Sequence, residues 1–312
     1  MIVRHSDACE TISGRLDAIE WVRVLAAGGV IWFHIKEGPY KEAGHAGLIC
    51  FVLISVVFQA AGPEKEGLGV YLRKKTSRVL TPWLFWFAFY GLFNLGKGRT
   101  FLPGSENIIE GVLSGPWVGL WYLPFILIIS PVVYALSKWS AGWRPLTGGT
   151  LFLVIGLLFL FFSPQLSGPW KSREPWGQWM HALPAVPLGL AMHALLKAKG
   201  ALRVSAMLTF LLVVELVCGH LLVTDLCTAI PYAVAVLVTG PGFLIRRRLP
   251  EVVTRLGGLC LGVYLIHSAV ITFLRTLPAF RETPFLLWLA TVLVSFALTA
   301  LLRGHRLSAR VL

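Results

Sequence analysis

The sequence predicts an all-α integral membrane protein of about ten transmembrane helices, with no separate soluble domain. Hydrophobic residues make up 56% of the 312-residue chain and charged residues only 14%, and mean hydropathy is +0.73. A soluble domain carries about a quarter of its residues charged, so this chain lacks the polar surface to wrap a water-soluble core. Apolar stretches near the length a bilayer demands, about 20 residues, recur along the whole chain. The connections between them are rich in Gly, Pro and charge, as in GPEKEG, LGKGRTFLPGSEN and SPQLSGPWKSREP.

Ten segments qualify: 18–35, 45–62, 79–96, 117–137, 149–163, 180–196, 204–222, 225–245, 256–275 and 284–302. The first sets Glu20, Arg23 and His34 into an apolar run, and the second is almost uniformly apolar up to GPEKEG. An aromatic third segment, WLFWFAFY, follows the basic stretch YLRKKTSR, and the fourth opens on WVGLWYLPF. The fifth is the shortest, the sixth carries two prolines, and a tight turn at Val223 and Thr224 divides the seventh from the eighth. The ninth is glycine-rich at its start (LGGLCLG), and the tenth is LLWLATVLVSFALTALL. Polar residues run up to Glu20 and no small-residue cleavage site follows, so the first segment is expected to be a retained helix. No internal repeat or low-complexity tract is visible, and residues 1–312 read as one membrane domain.

An even number of spans puts both termini on one side. With that side cytoplasmic, nineteen of the 28 Lys and Arg residues fall inside and eight outside, while Arg23 lies within a span. Positive residues accumulate in cytoplasmic loops, which predicts N-in, C-in. The net charge of +13 therefore reports topology, and no nucleic-acid partner is expected. Five scattered cysteines without CxxC spacing give neither a disulfide framework nor a thiolate zinc site, and no metal is expected.

Four stretches could carry chemistry. Arg23 and His34 are eleven residues apart, which brings them within about 20° on a helix, at a rise of roughly 16 Å. Ionisable groups in a span usually face a cavity or a partner; the plainer alternatives are a snorkelling arginine and a histidine at a helix end. The basic stretch holding Arg73, Lys75 and Arg78 is either a positive-inside anchor or an anion site, since Arg grips phosphate bidentately and Lys acts as a point charge. In LGGLCLGVYLIHSAV, Tyr264 and His267 are i, i+3 neighbours, and a packed histidine bonded to that tyrosine is the plainer reading. Trp121 and Tyr122 fit an aromatic belt or a platform for a sugar ring.

In order along residues 15–302, these stretches resemble the acyltransferase 3 family of multi-spanning membrane acyltransferases. RLDAIEWVRVLAAGGVIWFH is similar to its first-helix R-x10-H signature, KTSRVLTPW to its R-x-x-R-[IV]-x-x-P-[YW] segment, LWYL to its WFL-type helix start, and RLGGLCLGVYLIH to its late YLxH segment. Lys75 stands where the family commonly has Arg, Cys260 where it has Ser, and Gly119 where a His often precedes LW. Residues 50–58 match the family's FF-x-x-SG pattern only loosely.

The resemblance implies O-acyl transfer from cytosolic acyl-CoA, with acetyl-CoA the expected donor and no permanently bound cofactor, to a hydroxyl of a surface glycan, exopolysaccharide or lipid-linked precursor. His34 would be the general base and Arg23 would position the donor or stabilise charge on its carbonyl. Arg73, Lys75 and Arg78 would hold the CoA phosphates, and Trp121, Tyr122, Tyr264, His267 and Glu37 would contact the substrate. The implied setting is a bacterial inner membrane, with membrane lipids as partners and a homo-oligomer compatible with it. A lipid, peptide or small-molecule acceptor stays open. From a different class, so does a transporter or flippase using Glu215 and Asp225.

Overall fold

The computed structural model describes residues 17–64, 66–103, 107–168, 173–222, 225–245 and 250–304. The turn at Val223 and Thr224, Cys9, and the cations Arg4, Arg15, Lys65, Lys171, Arg246, Arg247, Arg248, Arg306 and Arg310 lie outside these residues. Among the described residues every regular element is helical and no strand forms.

Each apolar segment folds as a helix or a helix pair. They are α1 (Asp17–Phe33), α2 (Lys41–Ala60), α3 (Leu68–Gly96), the short α4 (Ile108–Ser114), α5 (Tyr122–Trp139) and α6 (Pro145–Ser167). There follow α7 (Trp176–Ala182) with α8 (Ala185–Leu196), α9 (Gly200–Leu216), α10 (Leu226–Leu244), α11 (Glu251–Gly257) with α12 (Cys260–Leu274), and α13 (Pro284–Arg303). Among the described residues eight helical stretches are long and apolar enough to cross a membrane, and α11–α12, bent by 61°, makes a ninth. The tenth expected span, α1, has 17 residues, about 25 Å of helix against a hydrocarbon core of about 30 Å.

Burial sorts the helices. In α2 and in α7–α8, 72% of the spanning residues are inside the bundle, against 28% in the α9 span and 22% in α13. The outer helices thus turn Leu208, Leu212, Leu293 and Leu301 outward, where a bilayer solvates them. No hydrophobic effect drives apolar helices together in lipid, so association rests on close packing and small residues. Gly47 of α2 is the clearest case: a Cβ there would lie 2.1 Å from the Ala26 carbonyl oxygen of α1. That contact brings the two backbones together and fixes where α1 sits against the central helix.

Two features differ from the sequence expectation. The basic stretch is not a loop: α3 starts at Leu68 and carries Arg73, Lys74, Lys75 and Arg78 on its first three turns. No Gly or Pro interrupts 70–81, and Leu, Arg and Lys are good helix formers. At 29 residues α3 is about 43 Å long, so its basic turns project beyond a hydrocarbon core. The ninth span is also broken rather than straight. Its break falls at Gly257 and Gly258, where a Cβ on Gly257 would meet Glu20 Oε2 of α1 at 2.1 Å.

Candidate active site

The face of α1 that carries Arg23 and His34 borders two cavities. Arg23 lines one of 620 Å³, together with Ser55, Gln59, Tyr71, Lys74, Lys75 and Arg78. His34 lines another of 770 Å³, with His45, Trp121, Gln178, His181 and Asp225 among its neighbours. Both volumes fall in the range of small-molecule sites, about 300–1,000 Å³. Tyr264 of α12 lines both cavities, so its ring marks where they meet.

In the first cavity Arg23 Nη1 donates to both carboxylate oxygens of Glu20, at 3.0 and 3.2 Å. Its guanidinium also lies over the Phe58 ring, 5.5 Å from the centroid. With a side chain 31% exposed, it reaches into the cavity rather than out to the headgroups. Lys74 is paired with Glu66. Neither Lys75 nor Arg78 has a carboxylate partner among the described residues, which leaves two cations at the cavity wall for an anion. Arg73 is exposed and does not line the cavity, because it faces away from Lys74, Lys75 and Arg78 around the helix.

Around His34 the contacts come from far along the chain. Its ring centroid is 5.2 Å from His267 of α12 and 5.8 Å from Trp117, which precedes α5. Trp117 and His267 are themselves 5.1 Å apart, edge to face. His267 is fully buried and its Nδ1 lies 2.7 Å from the Tyr264 backbone oxygen. The tyrosine is therefore its partner through the main chain, while the Tyr264 hydroxyl donates to the Gly119 carbonyl. Next to this trio, His45 stacks between Phe33, at 4.4 Å, and His181, at 4.5 Å. Among the described residues no group of three or more His, Cys, Asp or Glu side chains could hold a metal ion.

The remaining expected residues divide. Trp121 and Tyr122 are buried, at 5% and 7% exposure, and so form no lipid-facing belt. Trp121 lines the His34 cavity, but Tyr122 turns to the Arg23 side, where its hydroxyl lies 3.2 Å from Ser55 Oγ. Glu37 does not orient His34: its carboxylate accepts from Arg275 at 2.6 Å, pinning the α1–α2 turn to the end of α12. Of the cysteines, Cys50, Cys218, Cys227 and Cys260 are free thiols.

Sequence reasoning did not nominate Trp117, His45, His181 or Ser55. For the two histidines a signal existed, since each opens an apolar segment as His34 closes one, and the cost of ionisable groups in a span applies to all three. Trp117 sits in the loop SGPW and bears no periodic relation to any of its partners.

A helical membrane bundle that joins a basic cavity to a histidine-lined one at a single tyrosine defines a multi-pass membrane enzyme of the group-transfer class. A family model described as an acyltransferase domain matches residues 16–304. The chain belongs to the acyltransferase 3 family, and the enzyme is a membrane acyltransferase. No curated protein and no solved structure matches it.

Proposed function

We propose that the enzyme moves an acyl group, most simply acetyl, from acyl-CoA bound in the Arg23 cavity to a glycan hydroxyl in the His34 cavity. One observation carries this reading: Tyr264 lines both cavities, so a thioester reaching past Arg23 and a hydroxyl beside His34 converge on the same residue. Lys75 and Arg78 hold the CoA phosphates, helped by Lys74 when Glu66 releases it. The thin pantetheine arm follows the face of α1 over the roughly 16 Å that separates Arg23 from His34.

A sugar hydroxyl is a weak nucleophile, and a neutral imidazole is the side chain suited to take its proton near pH 7. His34 removes that proton as the oxygen attacks the thioester carbon. Arg23 sets the donor's position. The C–O bond forms, the C–S bond breaks, and the departing CoA thiolate recovers the proton from His34, so the reaction balances without a further acid or base. Trp121 supplies an aromatic face for a sugar ring. The N-in topology sets the basic cavity on the cytosolic side, where acyl-CoA is made, in a bacterial inner membrane.

The test is acetyl-CoA cleavage by membranes containing the protein, paired with mass spectrometry of the cells' surface glycans. Wild-type protein should release CoA and leave O-acetyl groups on the glycan, and His34→Ala at equal expression should do neither. Full activity in His34→Ala would refute the assignment. Acetyl groups appearing on lipid or peptide instead would redirect the acceptor and leave the donor side standing.

A further inference from the structure

We propose that His267 is the positioning residue for His34: its Nε2 accepts a hydrogen bond from a ring N–H of His34, which fixes the nitrogen that stays free to take a proton. The inference rests on His34 being the base.

The tautomer of His267 follows from its partner. Nδ1 lies 2.7 Å from the Tyr264 backbone oxygen, and a carbonyl oxygen can only accept, so Nδ1 carries the hydrogen. A neutral imidazole has one N–H, which makes Nε2 a bare lone pair. That atom is buried and has no partner in the structure. Nearby hydroxyls are committed elsewhere, Tyr90 to the Leu265 carbonyl at 2.6 Å and Tyr264 to that of Gly119. The rings that remain within reach are His34 and Trp117.

Geometry favours His34. A ring nitrogen sits about 1.1 Å from the imidazole centroid, so two imidazoles sharing an N–H···N bond of about 2.9 Å have centroids about 5.1 Å apart. The observed separation is 5.2 Å with the planes tilted by 40°. The rings already stand at bonding distance, and a rotation of His34 about its side chain completes the bond. Catalytic hydrogen bonds are commonly loose without substrate and tighten in the complex.

The chemistry explains why a histidine serves here. The acceptor hydroxyl needs a His34 nitrogen with a free lone pair facing the cavity, and the bond to His267 turns the other nitrogen, with its hydrogen, inward. When His34 takes the proton, its inward N–H keeps the same acceptor, now in a charge-assisted bond. His267 neither gains nor loses a proton. As a neutral group it orients the base without adding a second charge to the membrane interior, where a carboxylate in the same place would need its own compensation.

Acetyl-CoA cleavage by the full-length protein, in membranes of the producing cells that supply the acceptor, tests this. His267→Leu should lower kcat about 100-fold, the scale of losing an oriented base, while KM for acetyl-CoA and the thermal midpoint stay near wild type. His267→Gln, whose side-chain oxygen can accept from His34, should regain about tenfold. Should the leucine variant fail to fold, His267→Asn, too short to reach His34, takes its place. A folded His267→Leu enzyme with kcat within about threefold of wild type would overturn the proposal, as would a loss that follows the thermal midpoint. Trp117→Phe should lose less than His267→Leu; an equal loss would make the indole the donor and overturn it too. An active His34→Ala enzyme would instead remove the base reading beneath it, a result separable from all of these.

Discussion

Gly257→Ala offers the sharpest check on how the broken α11–α12 span positions Arg23. The added Cβ would lie 2.1 Å from Glu20 Oε2, 2.6 Å from Glu20 Cβ and 3.0 Å from Glu20 Cα. Carbon atoms pack best at about 3.5–4.0 Å, so the backbone contact alone is short by roughly half an ångström or more. A rotamer change can withdraw Oε2, but it cannot move Cα; the α11–α12 break or α1 itself has to give. Overpacking of this kind costs about 1–3 kcal/mol. Withdrawing the carboxylate also takes from Arg23 the two bonds at 3.0 and 3.2 Å that aim it. The expected outcome is a destabilisation of about 2 kcal/mol, roughly a 30-fold change in the folded ratio, with a larger proportional loss of acetyl-CoA cleavage. Denaturant titration of the purified protein and thiol release on one preparation give both quantities. A double-mutant cycle with Glu20→Ser should show coupling of about 0.5–3 kcal/mol, because the shorter side chain makes room for the methyl. Wild-type stability and activity in Gly257→Ala would refute the packing of this break on α1.

Other expectations follow from the same contacts. Arg78→Ala and Lys75→Ala should each raise KM for acetyl-CoA about tenfold, the scale of one lost charged hydrogen bond of about 1.5 kcal/mol, whereas Arg73→Ala, exposed and off the cavity, should raise it several-fold less; steady-state kinetics at fixed ionic strength would rank the three. Donor affinity should weaken as salt rises and screens those cations, read as KM at low and high potassium chloride. Tyr122→Phe removes the hydroxyl that meets Ser55 and should cost about 1 kcal/mol of stability, seen as a lowered denaturation midpoint. Gly47→Val should fail to accumulate as folded protein, since the Ala26 carbonyl leaves no space for a side chain, and size-exclusion chromatography in detergent would show it.

What the sequence could convey divides by distance along the chain. The ten segments, and the shared face of Arg23 and His34, follow from hydropathy and helical period, which are local. The projecting basic turns of α3 were also locally readable, since helix formers run unbroken from 70 to 81, but the charge density there suggested a loop. Contacts such as His34 with His267 and Trp117, or Glu37 with Arg275, depend on helix packing. No spacing rule reaches across that many residues, and for them family motifs served as a proxy by putting a late YLIH in register with the first helix. Tyr122 shows the limit of the proxy. Adjacent to Trp121, it was grouped with it, yet successive residues on a helix differ by 100°, and the two rings ended in different cavities.

The intramembrane carboxylates bear on the reading as a transporter. Coupled transport places its charged groups together near the membrane midplane, between elements that rock against one another. Asp225 lies at the start of α10, on the His34 cavity, and accepts from the Thr228 hydroxyl at 2.8 Å. Glu215 is on α9, among the least buried helices, and lines neither the Arg23 nor the His34 cavity. The two carboxylates thus share no path, and neither borders the basic cavity. What does run from one cavity to the other is the face of α1, with Arg23 near one end, His34 at the other, and Tyr264 touching both spaces between them. A transporter needs that junction to open for the whole solute. An acyltransferase needs it only as wide as a thioester, and a tyrosine held by its hydroxyl on the Gly119 carbonyl keeps it narrow.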